Sequence, residues 1–160
     1  MAKRADISLL FDFFVTSQRL RRVLSDWLAE ADMRPDEYAV YSLLFERGPL
    51  TATQMAGFLA MPLSTVLDYA KAMIGAGHVV RTSHPCDGRA VELSLNRSGI
   101  AAHRRAHARW EVIRKQIETN LSVPLDQVRR SLAALDDSAE LAGRRTKLAA
   151  AGRERRARGA

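Results

Sequence analysis

Cysteine is nearly absent from this 160-residue chain: Cys86 stands alone. One thiol cannot close an internal disulfide framework or complete a cysteine-cluster metal site. Long apolar runs are missing as well. No stretch approaches the ~18 uninterrupted apolar residues that a membrane-spanning helix needs. The opening, MAKRADISLL, lacks the apolar core and small-residue cleavage site of a secretory leader, so a cytoplasmic location without membrane contact is expected. Gly-rich phosphate loops, a nucleophile elbow and a metal-ligand set are all lacking, which argues against an enzyme and implies no cofactor and no metal. The chain also shows no internal repeat.

Hydrophobic residues make up 47% of the chain, enough for a real core and too many for a disordered protein. The length fits one domain with an appended dimerisation element. Net charge is +7, and nucleic acid is the first partner to consider. The excess is unevenly placed. Residues 1–34 carry +1, residues 35–100 carry −1 and residues 101–160 carry +7. Charge alone therefore does not establish DNA binding.

From Asp6 to about Ala31, Ile7, Leu10, Phe11, Phe14, Leu20, Leu24, Trp27 and Leu28 recur at helical spacing, with no glycine or proline between them. Pro35 suits a first helical position, and Asp36 and Glu37 suit a helix N-terminus. Tyr38, Tyr41, Leu44 and Phe45 form the buried face of this second helix, which Gly48-Pro49 ends; Gly48 is expected to supply the tolerant C-terminal turn. Thr51 and Gln54 make a capping box for a short helix, TATQMAGFLA. A break at Met61-Pro62 leads to LSTVLDYAKAMIGAG, with Gly77 as its stop, and two short helices joined this way form a helix-turn-helix. Next, HVVRTSHPCDGRAVELSLN shows β-branched residues, a turn-rich centre and alternation at Val91, Leu93 and Leu95, as a β-hairpin does. Ile100, His103, His107, Trp110, Ile113, Ile117 and Leu121 then share a helical face. Pro124 starts a last helix with a heptad-like seam through Leu125, Val128, Leu132, Leu135, Ala139 and Ala142. The end, AAAGRERRARGA, reads as a basic, disordered tail over 150–160.

The predicted fold class is mainly α with a small β-hairpin wing. Its domains are an N-terminal dimerisation helix (6–34), a winged helix-turn-helix (35–96) and C-terminal dimerisation helices (97–149). Over residues 6–149 this layout resembles the MarR family of bacterial transcription regulators. The family's Asp-x-Arg wing motif matches Asp87-Gly88-Arg89, and its strand-end pattern is approximated by Leu95-Asn96-Arg97-Ser98-Gly99. The resemblance implies a homodimer that represses transcription from a pseudo-palindromic site on double-stranded DNA. The helix from Leu63 would enter the major groove, Arg89 would reach the minor groove, and Asp87 would orient that arginine.

Elementary chemistry agrees with these roles. Ser64, Thr65, Asp68 and Lys71, with Tyr69 nearby, lie on the first turns of the helix that fits a major groove. A narrow minor groove concentrates negative potential and favours an inserted arginine. The sequence also departs from the family: position 68, often basic in relatives, is Asp, and positions 63 and 67, commonly polar, are leucines.

Plainer readings stand beside these. Arg89 with Asp87 also reads as a surface ion pair in a turn, and Ser64 and Thr65 as helix caps, but the hairpin and helix-turn-helix context favours the DNA roles. An acidic residue in a near-neutral region fits a second reading of the whole chain, a winged helix retained as a protein-interaction module. Trp27, Tyr38, Tyr41, Phe45, His103, His107 and Trp110 are candidates for a pocket, and the resemblance implies a small aromatic or phenolic effector there; as plain core they need no ligand. Arg19 or Arg22 would match a carboxylate on such an effector. His103 and His107, four apart, share a helix face but lack the further ligands of a zinc site. Cys86 has no resolving partner within the chain.

Overall fold

The computed structural model describes residues 8–84 and 87–158, with side chains described for 8–83 and 90–144. Among the described residues, six helices and three strands follow one another as α1 (Leu9–Ala29), α2 (Pro35–Arg47), β1 (Leu50–Thr51), α3 (Ala52–Leu59), α4 (Leu63–Gly75), β2 (Val79–His84), β3 (Asp87–Leu95), α5 (Arg97–Thr119) and α6 (Leu125–Arg158). Two compact units result, one ending at Lys115 and the other beginning at Gln116.

Local chemistry sets most boundaries of the first unit. Ser8 caps α1, its hydroxyl accepting from Phe11 N at 3.1 Å. Pro35 occupies the first turn of α2, where its missing N–H costs nothing. Thr51 and Gln54 form the expected capping box: Thr51 Oγ1 accepts from Gln54 N at 3.2 Å, and Gln54 Oε1 accepts from Thr51 N at 2.8 Å. Gly77 follows α4 with φ +66. Gly48 departs from expectation. Its backbone is extended (φ −62, ψ 154), not left-handed. Glycine is needed there for space, because a Cβ would stand 2.5 Å from the Leu44 carbonyl oxygen.

The three strands form one antiparallel sheet in the order β1-β3-β2. β1 was not expected from the sequence. Two residues carry no periodicity, and their pairing partners, Leu93 and Glu92, lie some forty positions away. The hairpin register runs from Val79↔Leu95 to Ser83↔Val91, with an irregularity at Ser83/His84 and a last pair, His84↔Asp87.

The core of this unit sits where the helix-turn-helix meets the sheet and α5. Val40, Tyr41 and Leu44 of α2, Met55 of α3, Val66, Ala70 and Met73 of α4, Leu50 and Leu93 of the sheet, and Ala102 and Ala106 of α5 form one buried cluster with Leu28 and Met33. Asn96 ties the base of the wing to the turn that follows α4 and to α5. Its backbone N–H donates to His78 O at 3.1 Å, its side-chain amide donates to Gly77 O at 2.8 Å, and its Oδ1 accepts from Gly99 N at 3.0 Å.

In the second unit, α6 runs from Leu125 to Arg158, well past the boundary at 149 predicted from sequence. The residues read as a disordered tail are thus helical as far as Arg158. Alanine and arginine make up seven of the nine residues from 150 to 158, and both favour helix even where they make it polar and basic. Among the described residues, no helix is long and apolar enough to cross a membrane.

Candidate nucleic-acid interface

α3, the turn at residues 60–62 and α4 make the helix-turn-helix. Ala60 ends α3 in the left-handed region (φ 50, ψ 34), and Pro62 stands at the N-cap of α4. Left-handed backbone at a non-glycine residue is uncommon and turns the chain sharply. α4 buries Val66, Ala70 and Met73 on one side. At 3.6 residues per turn, the opposite side carries Ser64, Asp68 and Lys71, all exposed. One flank of that crest is apolar: Leu63, Leu67 and Ile74 are 44%, 50% and 41% exposed. The other flank carries Thr65 and Tyr69, both half-buried.

The sequence-predicted recognition residues therefore divide. Ser64, Asp68 and Lys71 stand together on the outer crest. Tyr69 packs against the core cluster with the Arg34 guanidinium 5.6 Å from its ring centre, and burial raises the pKa of its phenol. Arg21 holds Asp36 at 2.9 Å close to the same end of α2, and this bond to the carboxylate raises the pKa of the guanidinium. Asp87 and Arg89 belong to β3 by backbone, one strand away from β2 on the wing; their side chains and all of Cys86 lie outside the described residues.

A second assembly spans α2 and α5. His103 is 3% exposed and lies in a stack of rings. Phe45 is 4.5 Å from it, Tyr38 5.6 Å and His107 5.5 Å, all near-parallel. Trp110 extends the stack, 4.6 Å from Tyr38. Tyr38 Oη is hydrogen-bonded to His107 Nδ1 at 2.8 Å, and Ser42 Oγ to His103 Nε2 at 3.1 Å. His103 Nδ1 is buried with no hydrogen-bond partner among the described residues. Burial, then the neighbouring His107, lower the His103 pKa. Burial raises the pKa of Tyr38, so its phenol keeps its proton at neutral pH.

Of the seven pocket candidates, five join this stack: Tyr38, Phe45, His103, His107 and Trp110. Tyr41 turns instead to His78, with Oη 2.7 Å from Nδ1 and the rings edge to face. Burial pushes its pKa up to about 12. Trp27 is half-buried on α1, and no ring contact joins it to the stack among the described residues. Arg19 and Arg22 line a separate open concavity of about 410 Å³ beside Phe14, Val15, Gln18 and Arg21, with no member of the stack in its wall. Sequence reasoning passed over Ser42 and His78. Neither has a periodic or motif signal, and both matter only through partners at least 37 positions away. No three His, Cys, Asp or Glu side chains gather as a metal site among the described residues.

No protein-family model matches the sequence, and no curated protein matches it. Solved structures do match the fold. A probable transcriptional regulator from Pseudomonas aeruginosa is 26% identical, with TM-score 0.73, covering 82% of this chain and 99% of that one. The S. aureus MepR–DNA complex is 16% identical, with TM-score 0.75 and coverage of 84% and 99%. A MarR mutant from E. coli complexed with operator DNA is 20% identical, with TM-score 0.71 and coverage of 82% and 94%. With its helix-turn-helix, three-stranded sheet and long flanking helices, the chain has the MarR-type winged-helix fold.

Proposed function

We propose that this protein is a DNA-binding transcription regulator that acts as a homodimer on a pseudo-palindromic operator and represses from it. The observation that carries the reading is the outer crest of α4. Ser64, Asp68 and Lys71 face away from the core on a helix of the width that enters a major groove, in a fold whose neighbours include DNA complexes. Ser64 supplies a hydroxyl for a phosphate or base edge, and Lys71 a cation for a phosphate. Arg89, on the adjoining wing, is assigned to the minor groove. Dimerisation is supported by α1, where Leu9, Leu10, Phe13 and Phe14 are 49–70% exposed. Apolar surface of that extent marks an interaction face. A second copy would cover it and set two recognition helices one helical turn of DNA apart.

We infer that a small aromatic or phenolic effector binds beside the ring stack of Tyr38, Phe45 and His103. By binding one separation of the recognition helices better than another, it would weaken operator binding by that difference in affinity. The interaction-module reading is favoured by one feature, Asp68 on the crest of a region with a net charge of −1.

Selection from random duplex DNA, with Arg89→Ala in parallel, separates the two readings. Operator binding predicts a palindromic consensus for the wild type and blurred or weakened recovery for the variant. Affinity should also fall with salt, at a log–log slope of about −0.9 per neutralised phosphate. Recovery without any consensus would favour the interaction module.

A further inference from the structure

Leu63 and Leu67 stand one helical turn apart, about 6 Å along the axis, on the flank of α4 that borders the crest of Ser64, Asp68 and Lys71. They are 44% and 50% exposed, as Ile74 is at 41%, whereas Val66 and Met73 on the inner side of the same helix are buried. Asp68 itself makes no hydrogen bond or ion pair among the described residues. A surface meant mainly to hold phosphates would be basic. Here the exposed side of the helix offers three branched apolar groups (Leu63, Leu67 and Ile74), one carboxylate acceptor, one hydroxyl and one cation.

In the major groove, thymine is the base that presents an apolar group, its C5-methyl, and the exocyclic amino groups of cytosine and adenine are the donors. An ionised carboxylate only accepts hydrogen bonds, so it is repelled by the O6 and N7 acceptors of guanine and satisfied by cytosine N4. We propose that Leu63 and Leu67 read thymine C5-methyl groups and that Asp68 reads a neighbouring cytosine amino group. The operator half-site is then recognised by a pyrimidine-rich edge. Specificity comes from apolar contact and one acceptor, without the arginine–guanine pairs that basic recognition helices use. This inference rests on the reading of α4 as the DNA-contacting helix.

The test begins with the duplex that wild-type protein selects from a random pool. Each thymine in its half-sites is replaced by uracil, which removes the methyl and leaves base pairing intact. Loss of one buried methyl weakens binding about four-fold per contact, from roughly 0.8 kcal/mol per apolar carbon. Uracil in the flanks should have no effect. Leu63→Ala and Leu67→Ala change exposed side chains, so folding should persist, and each should abolish the thymine-over-uracil preference at its own position. Asp68→Asn, able to donate as well as accept, should shift the selected base at one position from cytosine toward adenine. If a consensus is bound specifically but uracil is tolerated at every half-site thymine, this inference fails and the regulator reading stands. If no consensus is recovered at all, both fall together.

Discussion

His103 is the group whose titration should register most clearly in stability. It is buried between Phe45 and Tyr38, one ring nitrogen bonded to Ser42 and the other without a partner among the described residues. Burial and the nearby His107 lower its pKa in the folded state; Glu46 opposes this weakly and Arg104 reinforces it. The sign follows from proton counting. Between the depressed folded pKa and the unfolded value of about 6.5, the unfolded chain binds the proton and the folded chain does not. Stability from this residue is therefore complete above pH 6.5 and falls as pH drops toward the folded pKa. The loss is at most about 1.4 kcal/mol per pH unit for one site. His103→Phe keeps a ring in the stack and removes the titration, and His103→Gln provides a polar control. Urea unfolding of all three proteins between pH 7.5 and 5.5 would measure the effect. The wild type should lose more stability on acidification than either variant, while all three share the background from other groups. Superimposable pH profiles would refute the account of His103 as a buried, neutral imidazole.

Gly99→Ala should destabilise the fold by about 1–3 kcal/mol, because the added Cβ would collide with the His78 backbone carbonyl, which cannot swing aside as a side chain can; an unchanged melting temperature would contradict this. Thr51→Ala removes the α3 cap and should cost about 1 kcal/mol in chemical denaturation, with Thr51→Ser recovering most of it. Tyr41→Phe leaves the edge-to-face ring contact but deletes the hydrogen bond to His78 Nδ1, for a loss of about 0.5–1.5 kcal/mol.

The local features were readable from the sequence because their causes lie within a few residues. Thr51 and Gln54 are three apart, Pro35 begins its own helix, and the spacing of Tyr38, Tyr41 and Leu44 turns one side of α2 inward. His103 and His107 were placed side by side for the same reason, and the structure stacks them 5.5 Å apart. Tertiary structure decided what depends on distant pairing. β1 exists because Leu50 and Thr51 meet β3, and no two-residue segment declares itself a strand. Tyr41 leaves the ring stack for His78, Asn96 ties the wing to α5 and to the turn after α4, and Tyr69 is drawn off the recognition crest against the core. Periodicity shows which face of an element is apolar, but only the packed fold selects the partner that covers it.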